Sequence, residues 1–145
     1  MRGTKFRVWD LEDKQFVPFM LNEKGIWLYQ KRNGVMVEDI NNHRWKLMQS
    51  TGLQDKNDVE IYEGDIVKDS SGRLMIVEWD DRLGTARFIL KTINRISHIQ
   101  AGRYLDIHQW ITSDENDLEI IGNTYQNKEI IENIEKHYFN QLIKY

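Results

Sequence analysis

The sequence predicts a β-rich α+β fold: short antiparallel strands around a small barrel-like core at residues 60–90, strands added at the N-terminus, and one C-terminal helix at about 127–144. Three observations predict it. Apolar residues recur with period two in runs of five or six, separated by short polar turns, which is the pattern of half-buried strands. Five Trp, six Tyr and five Phe supply the large rings that strands favour. After Asn127 the period changes, and Ile130, Ile131, Ile134, Tyr138, Leu142 and Tyr145 fall at helical spacing.

Taken in order, TKFRVWD alternates Phe6 and Val8 with Lys5, Arg7 and Trp9, a first strand. Leu11–Lys14 is a charged turn, and Gln15–Met20 a second strand containing the single proline, Pro18. Proline cannot donate to a ladder, so this strand belongs at an edge. After a turn at 22–25, Asn33-Gly34 separates strands at 26–31 and 35–40, the strongest short hairpin signal in the chain. Arg44–Met48 is the next strand, and Thr51-Gly52 reads as a turn. Asp55-Lys56-Asn57-Asp58 is a polar hairpin tip and Gly64 a tight corner, because Asn, Asp and Gly tolerate left-handed backbone. From Gly64 to Phe88, GDIVKDSSGRLMIVEWDDRLGTARF has the look of an SH3-like barrel, five- or six-residue strands between short turns. That likeness is architectural and carries no activity. Residues 91–112 fit no single period and read as a loop with irregular pieces. Leu118–Ile121 is a last strand closed by Gly122, and Asn127 is placed to cap the final helix. Phe139 and Ile143 widen that helix's apolar face, which makes self-association an expectation beside packing on its own sheet.

The same central stretch carries a family resemblance. Thr51-Gly52-Leu53, Asp55-Lys56-Asn57 and Glu60-Ile61-Tyr62-Glu63-Gly64-Asp65-Ile66-Val67 resemble the signature of the YopX family, small proteins found largely in phages and prophages. Lys5-Phe6-Arg7-x-Trp9-Asp10 resembles the family's opening motif. Ile120-Ile121-Gly122-Asn123-x-Tyr125-x-Asn127 resembles its closing one. The likeness covers residues 5 to 127. Two positions depart from the family pattern: Asn57-Asp58 stands where Asn-Gly is usual, and Lys128 where Pro is usual. Asp tolerates the left-handed region, and Lys is acceptable in a first helical turn. The resemblance implies a fold and almost nothing about activity.

Composition narrows the class further. A chain of 145 residues predicts one domain able to bury a core without staples. The absence of cysteine removes disulfides, thiolate nucleophiles and zinc–thiolate sites. The opening residues have no apolar signal region and no run is long enough to span a bilayer, so the expectation is a protein of the host cytoplasm without membrane contact. The net charge of −3 argues against a dedicated nucleic-acid binder.

Candidate chemistry is sparse. Carboxylates cluster at turns, namely 10–13, 55–65 and 78–81, where solvated charge is the plain explanation. Glu63 and Asp65 are the best of them for acid–base work, since such work needs two carboxylates in one cleft. Asp65 reads first as an acceptor stabilising the Gly64 turn. His43, His98, His108 and His137 lack the spacing of a metal pair, and neither nucleophile-elbow nor phosphate-loop motifs occur, so no cofactor is implied. The basic run is the most distinctive patch. Arg82, Arg87, Lys91, Arg95 and Arg103 contain no acid among them, and with Phe88, His98 and Tyr104 interleaved they have the composition that holds single-stranded nucleic acid. A run of +5 in a chain of −3 leaves −8 elsewhere. Three functional expectations follow: the first is a non-enzymatic interaction module acting through a protein partner or self-assembly, and the second, as the alternative, a nucleic-acid accessory using the 82–103 run. A hydrolase on the Glu63/Asp65 turn is the third. One contiguous exposed basic face would favour nucleic acid, whereas internally paired side chains would favour protein interaction.

Overall fold

The structure is a computed structural model describing residues 5–17, 19–21, 27–30, 36–38, 45–81, 86–94, 104–111 and 116–143. Two compact units divide the chain, Met1–Ser50 and Thr51–Tyr145.

In the first unit, β1 (Phe6–Asp10) pairs antiparallel with β2 (Gln15–Val17), Val8 opposite Val17 and Trp9 opposite Phe16. The turn between them is organised by Asp10, whose Oδ1 accepts from the Glu12 and Asp13 amides at 2.9 and 3.2 Å, while Lys14 takes φ 53°. A separate sheet comprises β3 (Phe19–Leu21), β4 (Trp27–Gln30) and β5 (Met36–Glu38), in that order. The span Gln15–Met20, expected as one strand, is therefore two strands in two sheets, β2 ending at Val17 and β3 beginning at Phe19, with Pro18 outside the described residues. A residue without an N–H cannot carry a ladder through, and both β2 and β3 stand at sheet edges as proline requires. The Asn33-Gly34 turn lies outside the described residues, but the strands it was expected to join do pair, with Tyr29 opposite Val37. β6 (Trp45–Gln54) begins here, Trp45–Gln49 running antiparallel to β1. Val8, Val17 and Trp45 form this unit's small core.

β6 continues into the second unit through Thr51-Gly52, the pair expected as a turn. Gly52 takes φ 76° inside the strand, so the left-handed residue makes an irregularity in β6 instead of ending it. β7 (Glu60–Tyr62) folds back beside β6. A five-stranded antiparallel sheet follows, with β8 (Asp65–Lys68), β9 (Leu74–Asp80), β10 (Arg87–Thr92), β11 (Tyr104–Asp106) and β12 (Glu119–Asn123) in the order β11-β10-β9-β8-β12. The 60–90 span thus supplies one strand to the β6 sheet and three to this one. Ile61, Val67, Met75, Val77, Phe88, Leu90, Ile107 and Leu118 form the core, all buried, from one face of the sheet and the segments laid over it.

Residues 104–111, expected within an irregular loop, form β11 and the short helix α1 (Ile107–Ile111). Local periodicity could not reveal them, because β11 is specified by its pairing with β10 and α1 by burial of Ile107. Residues 95–103 lie outside the described residues. β12 runs through Gly122 to Asn123, one residue past the predicted stop. The C-terminal helix α2 (Lys128–Ile143) matches its expected span. Among the described residues no helix is long and apolar enough to cross a membrane.

Candidate functional site

The central signature is a set of backbone ties. Thr51 Oγ1 donates to the Ile61 carbonyl at 2.8 Å and accepts from the Leu53 amide at 3.1 Å, stitching β6 to β7. Asp55 is 3% exposed, and its two oxygens have separate partners. Oδ1 accepts from the Asn57 and Val59 amides at 2.9 and 3.0 Å, which shapes the hairpin tip. Oδ2 accepts from the Ile120 amide at 3.0 Å, 65 residues along the chain. The Lys56 amide completes the junction by donating to the Leu118 carbonyl at 2.8 Å. Asp58 adopts φ 62°, so it fills the left-handed position where the family usually has Gly, as the low penalty for Asp there allows.

At the corner that follows, Gly64 takes φ 86°, its amide donating to the Val77 carbonyl and its carbonyl accepting from Thr124. Asp65 Oδ2 accepts from the Tyr62 amide at 2.8 Å, the turn-stabilising contact expected of it. The closing motif meets this corner from the other side. Asn123 Oδ1 accepts from the Tyr125 and Gln126 amides at 3.0 and 2.7 Å, turning the chain from β12 towards α2. Asn127 occupies the residue before α2 as expected, but its Oδ1 turns back to accept from the Asn123 amide at 3.1 Å. A side chain at Gly122 would collide with that same Asn127 carboxamide, so the glycine is required by close approach. Burial, and then the Glu63 carboxylate, push the Tyr125 phenol above its ordinary value. The central and closing motifs are therefore one contiguous structure: Asp55 to Ile120, Gly64 to Thr124, and β8 beside β12.

A second cluster lay outside the sequence reading. Asp69 Oδ1 accepts from the Ser71 and Arg73 amides, both at 2.9 Å, and Arg73 Nε stands 3.6 Å from Asp69 Oδ2. The Arg73 guanidinium lies over the Trp110 ring, 5.2 Å from its centroid. Trp110 Nε1 donates to Asp117 Oδ1 at 2.8 Å, and the Ser70 amide and hydroxyl donate to Asp117 Oδ2 at 3.0 and 2.7 Å. Burial pushes the Asp117 carboxyl up, yet the Ser70 and Trp110 donors together outweigh it and hold the group below the usual carboxylate range. No local motif marks this cluster, because Ser70, Trp110 and Asp117 meet only through the fold.

Of the five basic residues singled out, Arg82, Arg95 and Arg103 lie outside the described residues. Arg87 and Lys91 both stand on β10 and, four residues apart on a strand, share one face. Arg87 Nη1 lies 3.5 Å from Asp106 Oδ2, an ion pair within the fold. Asp80 is opposite Arg87, and Glu78 opposite Ile89 between the two cations, so acids stand among the bases on this face. His43 and His98 lie outside the described residues, while His108 and His137 are exposed. No group of three metal-ligating side chains occurs among the described residues. Chemically, Asp55 and Asp65 of the signature act as hydrogen-bond acceptors for amides, and Glu60 accepts from the Tyr62 hydroxyl at 3.0 Å. Phe16, Leu47, Val59 and Trp79 are the exposed large apolar side chains among the described residues, Trp79 lying edge-on to Phe88 at 4.7 Å, and Ile130, Ile131 and Ile134 of α2 are half-buried.

No curated protein matches the chain. Among solved structures it is similar to the crystal structure of protein EF1440 from Enterococcus faecalis, with 20% identity, 90% of this chain and 99% of that one covered, and a TM-score of 0.47. The family described as YopX protein matches residues 5–132, a span holding the opening, central and closing motifs, and the chain belongs to that family.

Proposed function

We propose that this protein is a non-enzymatic interaction module, encoded by a phage or prophage and acting in the host cytoplasm through a protein partner or self-assembly. An SH3-like kinship of the 60–90 span is part of the same reading. The observation that carries it is α2, a sixteen-residue helix whose Ile130, Ile131 and Ile134 lie at helical spacing and stay only half-buried. A partly covered apolar stripe of this kind has area left for a partner. The signature supports the non-enzymatic part of the reading, since its Asp55 and Asp65 each hold backbone amides in place, as does Asp69 just beyond it.

The test compares the protein with an Ile130→Ser/Ile134→Ser variant by light scattering and by cross-linking in host cells. Association or partner capture by the unaltered chain, lost in a variant that keeps its circular dichroism, supports the reading. Identical behaviour of the two chains overturns it. Nucleic acid is the alternative, and salt-sensitive binding of labelled DNA or RNA that Lys91→Ala weakens would establish it in place of the first.

A further inference from the structure

The five-stranded sheet ends at β12, whose outer side faces no strand of the described sheet. Edges of this kind invite a strand from another molecule, since their unpaired amides and carbonyls form a template. Leu118-Glu119-Ile120-Ile121 is an apolar, β-branched sequence well suited to such pairing. At the far end of β12 the Asn123 amide and carbonyl are bonded to Asn127, and at its start two outward groups are occupied as well. The Leu118 carbonyl accepts from the Lys56 amide at 2.8 Å, and the Ile120 amide donates to Asp55 Oδ2 at 3.0 Å. A carbonyl and an amide two residues apart are the pair an adjoining strand would use. The hairpin tip offers them one backbone N–H and one carboxylate oxygen in place of a strand, and the exposed Lys56, paired with Glu119 at 3.2 Å, adds charge along the rim. We infer that the Asp55–Asp58 turn is a stopper on the β12 edge, and that Asp55 Oδ2 is the atom that keeps this edge from pairing with β12 of a second copy of the chain. The inference is independent of the proposed function: it concerns a route of association that the fold closes.

The division of labour between the two oxygens makes it testable. In Asp55→Asn the single remaining oxygen is drawn to the two amides of Asn57 and Val59, so the turn persists. The new NH2 then faces the Ile120 N–H, donor against donor. Asp69→Asn is the matched control, since that turn uses the same amide pattern without a distant partner. The expected result is that Asp55→Asn gains an association step in sedimentation that neither the unaltered chain nor Asp69→Asn shows. Its Ile120 amide should exchange about tenfold faster or more when dilute and recover protection on concentration, with Asn57 and Val59 protected throughout. A folded Asp55→Asn with no added association overturns the inference. So does unfolding of Asp55→Asn while Asp69→Asn folds, which would make Asp55 a folding residue alone, and so does equal association by both variants.

Discussion

The turns at Asp55 and Asp69 share one device, although at Asp69 the Ser71 hydroxyl also donates to Oδ1, at 2.7 Å. In each, an aspartate oxygen takes the amides two and four residues ahead, at 2.9 and 3.0 Å for Asp55 and 2.9 Å twice for Asp69. They part at the second oxygen. Asp69 Oδ2 remains at home, 3.6 Å from Arg73 Nε, whereas Asp55 Oδ2 reaches the Ile120 amide. Asp10, in the first unit, is a third version, accepting from amides two and three ahead. A short sequence is enough to specify the shared part of these turns, because the acceptor and its donors travel together. The distinguishing contact needs the whole fold, and it converts a local turn into a tertiary tie.

Four measurements break or sharpen that comparison. Asp55→Ala leaves the Asn57, Val59 and Ile120 amides without their acceptor and should lower the unfolding free energy by about 3 kcal/mol in urea titration. Asp69→Ala removes the acceptor from two amides, with no distant third amide among them, and should lose about 1.5 kcal/mol; an equal or larger loss there would break the distinction between the two turns. Asp117→Asn sharpens it from the opposite side of the Asp69 turn, with a loss of about 1 kcal/mol near neutral pH. Since the folded carboxyl is held below its unfolded value, its contribution is present above the ordinary pKa of about 4 and disappears as pH falls through the folded value. The gap between the unaltered chain and Asp117→Asn should therefore narrow as pH falls from neutral to below the ordinary carboxylate range. Smallest of all, Lys56→Ala removes only an exposed ion pair with Glu119 and should change stability by less than about 0.5 kcal/mol. A larger effect would mean that the rim charge, and not the Asp55 carboxylate, holds the junction.

Much of the fold was legible because its signals are local. The left-handed Asp58 and Gly64, the charged turn after Asp10 and the 3.6 period of α2 all follow from residues near one another in sequence, and each is present. Thr51-Gly52 misled because a left-handed glycine reads as a turn, while Thr51, bonded to Ile61, keeps the strand going. β11 and α1 were hidden because what specifies them, pairing with β10 and packing in the core, is not carried by their own residues. The family motifs were readable as motifs, but their joint purpose was not. Nothing in the sequence says that Asp55 meets Ile120, or that Trp110, Ser70 and Asp117 converge. For the basic run, Arg87 shows the limit of composition: a cation counted as available in the sequence stands beside Asp106 in the fold.

The reach from Asp55 to Ile120 also sets an order in time. During synthesis the hairpin tip can form as soon as Val59 has emerged, since its donors are close at hand. β8 then leaves the ribosome with one side open, and it stays open until β12, its partner on that side, has been made. Closing a loop of 65 residues is slower than closing a turn, so the tie from Asp55 to Ile120 is a late contact on loop length alone. A chain interrupted before residue 119 would carry a folded turn with nothing to cover, beside a strand still waiting for its neighbour. Such an intermediate is exposed to wrong pairing for as long as translation takes to supply the end.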